Sequence, residues 1–296
     1  MTLPCSALRR PTLLIVGCGD VGLRVLRLLC GRVRVLALTS SARRVDELRV
    51  AGAVPLLGNL DDAASLGRLA SLADWVLHLA PPPTQGRTDP RTAALLHALA
   101  RSTRVRRIVY ASTSGIYGDA GGERFDETRA PRATTPRAQR RVDAEARVRH
   151  HGRAFGVNAS VLRIPGIYAL EREGGDPRQR VQRGAPLLAD ADDVYTNHIH
   201  ADDLARACVA ALFRGAPQRV YHASDDTDLK MGDYFDLAAD LSGLPRPERI
   251  TRAQAAERLP STMMSFMSES RRLLNHRLHD ELRVALRYPT VREGLA

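Results

Sequence analysis

Lysine is almost missing from this chain. Lys230 is the only one in 296 residues, so arginine carries nearly all of the 44 basic charges set against 33 acidic ones. Aromatics are scarce too, at 4%, with a single tryptophan. A formal net charge of +11 would suit a nucleic-acid partner, because cationic side chains release counterions from phosphates. Here the arginines are scattered in short pairs along the chain (Arg9-Arg10, Arg43-Arg44, Arg106-Arg107, Arg140-Arg141, Arg271-Arg272), and no aromatic–basic RNA-binding pattern accompanies them. The charge therefore reads as solvated surface, with no nucleic-acid partner. Cys5, Cys18, Cys30 and Cys208 lie far apart without a CxxC pair. That is poor material for a disulfide framework or a metal site and suits a reducing cytoplasm. No apolar run approaches the ~18–20 residues that span a bilayer, and Met1 to Pro11 has no apolar core of a secretory signal. The expectation is a cytoplasmic protein with no membrane partner and no metal.

What is present is an ordinary globular composition, 44% hydrophobic and 26% charged. Short apolar runs at 12–16, 33–38, 53–57, 75–79, 107–111 and 157–163 read as buried strands. Between them, helical spacing marks 20–30, 42–51, 61–70, 88–102 and 133–151. Strands alternating with helices at this rhythm predict βαβ units, hence an α/β fold with a doubly wound parallel sheet. After Arg163 the rhythm changes. Residues 164–180 read as loops, 194–200 and 219–223 as strands, 201–214 and 231–242 as helices, and the tail from 251 as mostly helical. The predicted organisation is a Rossmann domain over 11–165, with parts of 194–223 returning to it, and a smaller discontinuous C-terminal substrate-binding part over 166–296.

One turn carries specific chemistry. Gly17-Cys18-Gly19-Asp20-Val21-Gly22 fits GxGxxG, follows the first strand and opens the first helix. Gly17 permits the tight turn, Gly19 a close approach to a pyrophosphate, and Gly22 close helix–strand packing. Free N–H groups at a helix start favour that negative charge. The second strand ends in Thr39-Ser40-Ser41-Ala42-Arg43-Arg44, with no carboxylate to bind a ribose 2′-hydroxyl and two arginines suited to a 2′-phosphate. NADP is therefore favoured, with NAD as the alternative. Asn59 and Leu60 follow the third strand, and Ala80 and Pro81 the fourth, where a dinucleotide would lie. A lone Cys18 in the turn reads as a small residue that fits.

These turns, together with Tyr110-Ala111-Ser112-Thr113-Ser114-Gly115-Ile116-Tyr117-Gly118-Asp119, resemble the extended short-chain dehydrogenase/reductase family, in its NAD-dependent epimerase/dehydratase branch. Leu162-Arg163-Ile164-Pro165-Gly166-Ile167-Tyr168 and His200-Ala201-Asp202-Asp203-Leu204-Ala205 agree in order and spacing, and the similarity runs from about Thr12 to about Phe213. The resemblance implies a nicotinamide coenzyme contacted also by Ser112, Pro165 and Ile167. It also implies that Thr113 hydrogen-bonds the reacting oxygen of a small-molecule substrate, which Asn197 helps to contact. In that family a helix then supplies Tyr-x-x-x-Lys, whose lysine lowers the phenol's pKa.

This chain departs from that pattern. Alignment on Ala144-Glu145 puts Arg141 at the lysine position and Arg137 at the tyrosine position, and the sole lysine has Asp226 four residues before it. A guanidinium stays protonated far above neutrality and cannot replace a phenol. Three consequences stand open. Another acid serves, with Tyr117 the leading candidate and Tyr168, His198 and His200 behind it. Alternatively Arg137 and Arg141 bind an anionic, nucleotide-sugar-like substrate, near which Tyr168 would also lie. Or the protein binds NADP without turnover, as a regulatory or redox-sensing protein. The leading expectation is an NADP-preferring oxidoreductase or epimerase/dehydratase-like enzyme using Thr113, Tyr117 and Arg141, with a homodimer as its assembly.

Overall fold

The computed structural model describes residues 10–296; Cys5 and Arg9 lie outside the described residues. Seven strands, β1 (Thr12–Val16), β2 (Arg34–Thr39), β3 (Val54–Leu57), β4 (Trp75–His78), β5 (Arg107–Thr113), β6 (Asn158–Ile164) and β7 (Val220–His222), form one sheet in the order β3-β2-β1-β4-β5-β6-β7. Every neighbouring pair is parallel. The winding reverses between β1 and β4, which opens a crevice at their carboxyl ends. The main helices are α1 (Asp20–Leu29), α2 (Val45–Val50), α3 (Pro90–Leu99), α4 (Pro136–Phe155), α5 (Pro177–Gln182), α6 (Ala201–Arg214) and α7 (Met231–Leu241).

The strands are apolar on both faces because both faces are covered. Leu13 and Ile15 of β1 pack with Val25 and Leu29 of α1 and with Leu204, Cys208 and Leu212 of α6. Leu14 and Val16 turn to the other face, with Leu95 and Leu99 of α3 and Ala144 and Val148 of α4. The helix starts are written locally. Asp89 accepts the N–H of Thr92 ahead of Pro90, and Thr135 accepts that of Ala138 ahead of Pro136.

Several elements differ from the sequence expectation. The stretch expected as a helix over 61–70 is a 3₁₀ run, Ala63–Ser71. The 42–51 helix splits into a 3₁₀ turn and α2. Residues 164–180 are not only loop, since Gly166–Tyr168 pairs in parallel with His198–His200 and α5 begins at Pro177. The tail is less helical than its polar pattern suggested. Arg272–Leu273 is a two-residue strand with a distant partner, as is Arg249–Ile250 just before the tail, and the helices between are short.

The C-terminal part has its own core of Tyr168, Val181, Leu187, Leu188, Met231, Tyr234, Phe235, Met267 and Val291. Polar anchors tie it to the sheet. Asp203, fully buried at the start of α6, accepts the N–H groups of Arg287 and Tyr288, each at 2.8 Å. Arg24 on α1 is buried between Asp20, Glu171 and Asp202 and so joins three segments.

Candidate functional site

The glycine turn sits in the crevice, and each glycine has a different reason. Gly17 has φ of +86°, and a Cβ there would stand 2.5 Å from the Ala80 nitrogen. The backbones after β1 and β4 therefore touch, and no side chain fits between them. Gly22 faces Cys18 Sγ and Ile15 in the helix–strand seam. Gly19 faces open space, with no atom within 4 Å of its Cβ position. Gly19 is also the N-cap of α1, and no side chain caps that end. Here is a helix start whose N–H groups no side chain claims, next to room for a ligand. Asp20 in the first turn is paired with Arg24 and Arg172, so its charge is matched within the chain. Val21 packs against the α1 face of the core. Burial pushes the Cys18 thiol up to about 11, although Arg44 pulls the other way, so this cysteine is a packing residue.

At the end of β2, Thr39 Oγ1 accepts the N–H of Ser41 (3.2 Å) and is folded into its own turn. The two arginines expected at a 2′-phosphate are not equivalent. Arg44 forms a fork with Glu47, at 3.0 and 2.8 Å. Arg43 is exposed and has no ion pair among the described residues. Asn59 is exposed, its Oδ1 accepting the N–H of Asp61, while Leu60 packs against the sheet core. Arg91 grips Asp61 with two bonds of 2.7 and 2.6 Å and reaches the Pro81 carbonyl at 3.4 Å, bracing the loops after β3 and β4 together.

The β5 end brings together three of the expected residues. Ser112 Oγ is buried and has no hydrogen-bond partner. Thr113 Oγ1 accepts the N–H of Gly115 (3.2 Å) and caps the turn Ser114–Tyr117, which leaves its own O–H free to donate. From α4, Arg141 Nη1 donates to Tyr110 Oη (3.0 Å) and to the Ala111 carbonyl (2.8 Å), so the guanidinium lies over the end of β5. One turn earlier Arg137 is exposed, its guanidinium 5.5 Å from the centre of the Phe266 ring. Pro165 and Ile167 follow β6, with Ile167 packed on the α1 face of the core.

Four other expected residues have partners within the chain. Tyr117 is fully buried, with its hydroxyl 2.6 Å from Arg163 Nη1 and 2.6 Å from His222 Nε2. His222 Nδ1 lies 2.8 Å from the Leu274 carbonyl, which can only accept. Nδ1 therefore carries the proton, Nε2 accepts, and Tyr117 donates its own hydrogen to His222. Arg163 completes the set with a buried fork on Glu145 of α4. Burial pushes the Tyr117 phenol up to about 12 in spite of Arg163. Tyr168 is 2% exposed, donates to the Thr290 carbonyl at 3.3 Å and packs on His198, His200 and Tyr234 in the core of the C-terminal part. Asn197 uses both ends of its amide on the tail, donating to the Arg271 carbonyl and accepting from the Leu273 N–H. His200 caps α6, its Nδ1 accepting the N–H of Asp202. Among the described residues no cluster of His, Cys, Asp and Glu is arranged to hold a metal ion, and no helix is long and apolar enough to cross a membrane.

An uncapped helix start behind a glycine turn, at the winding reversal of an all-parallel sheet, defines a dinucleotide-fold α/β protein. More narrowly, the model of the NAD dependent epimerase/dehydratase family matches residues 13–223, and the chain belongs to that family. The dTDP-glucose 4,6-dehydratase of Mycolicibacterium smegmatis is 29% identical over 205 residues, covering 62% of this chain and 61% of that protein. The human dTDP-D-glucose 4,6-dehydratase is 22% identical over 46% of this chain and 41% of its own length. The matched region thus spans less than two thirds of either relative. A functionally unknown conserved protein from Silicibacter pomeroyi is similar over 96% of both chains, with TM-score 0.81 and 30% identity. The UDP-glucose 4-epimerase of Thermotoga maritima shares the fold at TM-score 0.78 and 18% identity over 96% of both chains.

Proposed function

We propose that this chain binds a nicotinamide dinucleotide, NADP in preference to NAD, and acts as an oxidoreductase or epimerase/dehydratase-like enzyme on a small, nucleotide-sugar-like substrate. The observation that carries the reading is the glycine turn. Gly17 locks the loop against Ala80, while Gly19 leaves an uncapped helix start open beside it. Ser112 Oγ, buried without a partner at the end of β5, supplies a further unclaimed group on the same sheet edge. Solved relatives of this fold were obtained with NAD, among them the dTDP-glucose 4,6-dehydratase DesIV double mutant of Streptomyces venezuelae, at TM-score 0.76 and 19% identity over 96% of this chain and 95% of that one. Selectivity for the 2′-phosphate would rest on Arg43, which has no ion pair among the described residues.

When bound, the coenzyme would supply hydride acceptance and donation. Thr113 would donate its hydroxyl hydrogen to the reacting oxygen of the substrate and hold it in place. Arg141 would keep a fixed positive charge beside that oxygen, anchored by the Ala111 carbonyl. Tyr117 is not part of this assignment, because its proton is committed to His222.

A second reading has its own support. The two phenols considered as alternative acids, Tyr117 and Tyr168, are both buried and bonded, and arginines hold the Tyr-x-x-x-Lys positions. A coenzyme-binding protein without turnover fits those facts. Calorimetry with NADPH and NADH, followed by a turnover screen of nucleotide sugars and carbonyl compounds, separates the two. Binding with turnover abolished in Thr113→Ala supports the enzyme, and binding with no turnover of any substrate supports the regulatory protein.

A further inference from the structure

The first turn of α1 carries an anion of its own. Asp20 directly follows Gly19, so its carboxylate stands on the helix start that a coenzyme pyrophosphate would need. An unmatched negative charge there would oppose such a ligand. Arg24, one turn on, reaches Asp20 at 3.1 Å but also holds Glu171 at 2.6 Å and Asp202. One guanidinium shared by three carboxylates cannot neutralise Asp20. A second one arrives from far along the chain, with Arg172 Nε 3.1 Å from Asp20 Oδ2.

The turn that delivers Arg172 is shaped around it. Residues 169–175 close on themselves: the Arg172 N–H donates to the Ala169 carbonyl (3.2 Å), and the Gly175 N–H donates to the Arg172 carbonyl (3.0 Å). Gly174 takes φ of +68°, and a Cβ on Gly175 would stand 2.9 Å from Arg172 Cδ and 3.0 Å from its Cγ. Glycine at 175 thus leaves the space in which the arginine stem lies. Glu171 and Arg172 are neighbours on this turn and reach the same helix, Glu171 through Arg24 and Arg172 through Asp20. The turn belongs to the C-terminal part and leads into α5.

From this geometry we infer that Arg172 is a positioning residue for the coenzyme site, an assignment that rests on the coenzyme reading of the glycine turn. It acts without touching the coenzyme, by cancelling the charge of Asp20, so a turn of the C-terminal part sets how strongly the start of α1 takes a dinucleotide. Removing Arg172 leaves Asp20 with only a share of Arg24 beside an incoming diphosphate. Removing Asp20 as well takes away the charge that Arg172 offsets, while Arg24 keeps Glu171 and Asp202. An arginine that held the diphosphate directly would be missed equally with and without Asp20.

The test is a double-mutant cycle on the full chain, read by titration calorimetry with NADPH and with NADH at low salt. Arg172→Gln should weaken both coenzymes about three- to tenfold, since both carry the pyrophosphate and a nearby partly exposed charge is worth that much. The double variant Asp20→Asn, Arg172→Gln should bind within about a factor of two of Asp20→Asn alone, inside the error of additivity for uncoupled sites. Added salt should shrink the Arg172→Gln loss, because partly exposed charges are screened. A loss caused by poor folding would lower the melting temperature of Arg172→Gln, and removing Asp20 would not recover it. The inference is overturned if Arg172→Gln binds as wild type does, or if it weakens binding equally with Asp20 present and absent. If neither coenzyme binds wild type, the coenzyme reading itself fails and takes this assignment with it.

Discussion

The Tyr117 hydroxyl donates to Nε2 of His222 across 2.6 Å, joining the turn after β5 to the end of β7. Arg163 donates to the same oxygen, and Arg163 in turn grips Glu145 on α4. Four segments far apart in sequence are thereby fixed to one buried polar network. Tyr117→Phe should leave the His222 nitrogen and one Arg163 donor unsatisfied, lowering stability by about 1–3 kcal/mol. Coenzyme affinity and any turnover should be unchanged. Denaturant melts beside a coenzyme titration check this, and a Tyr117→Phe protein of normal stability that had lost turnover would return the phenol to the chemistry.

Thr113 has two duties that can be separated. Its oxygen caps the turn Ser114–Tyr117, and its hydrogen is free for a substrate. Thr113→Ser should keep both. Thr113→Ala should lower kcat by about 10²-fold, the scale for removing one donor to a reacting oxygen, with the coenzyme Kd within a factor of about two. Steady-state kinetics on whichever substrate the screen identifies would show it, and an unchanged kcat would remove Thr113 from the site.

The unequal state of the two arginines after β2 predicts an unequal effect on coenzyme choice. Arg43→Ala should weaken NADPH by about ten- to a hundredfold, the worth of a charge-assisted contact, and leave NADH alone. Arg44→Ala should do much less, because its fork is already occupied by Glu47. Calorimetric titrations of both variants with both coenzymes decide it. Equal loss of NADPH and NADH in Arg43→Ala would refute the assignment.

Acid should destabilise the protein through its buried imidazoles. Burial holds His78, His198 and His222 down to about 3, well under the ordinary 6.5. The unfolded chain therefore takes up these protons first as pH falls. The stability that the neutral rings contribute is complete above about pH 6.5 and is lost between there and pH 3. Asp225 works in the opposite sense, since burial raises its carboxyl well above the usual range and its contribution fades as pH rises. With three imidazoles against it, the urea midpoint should fall from pH 6.5 to pH 4. A midpoint that stayed level or rose over that interval would contradict the neutral assignment.

The sheet was legible in the sequence because its strands are buried on both faces, so apolar runs such as Thr12–Val16 mark their own ends. The glycine turn was legible for a related reason, since Gly17 answers to a local backbone geometry and Gly19 to an open helix start. What stayed hidden depends on partners distant in the chain. Nothing around Tyr117 announces that His222, 105 residues on, will take its proton. Nothing around Asn197 announces that the backbone of Arg271 and Leu273 will claim both ends of its amide. Arg44 differs, because its partner Glu47 lies only three residues on, at helical spacing.

Gly19 offers the most direct measurement of the coenzyme reading. A Cβ there meets no protein atom within 4 Å and the backbone is not left-handed, so Gly19→Val should fold with an unchanged melting temperature. Its methyl groups would stand where the pyrophosphate must approach the start of α1. Titration calorimetry should show NADPH or NADH binding to wild type and none to Gly19→Val. Equal binding by both proteins, or no binding to wild type by either coenzyme, would contradict the account.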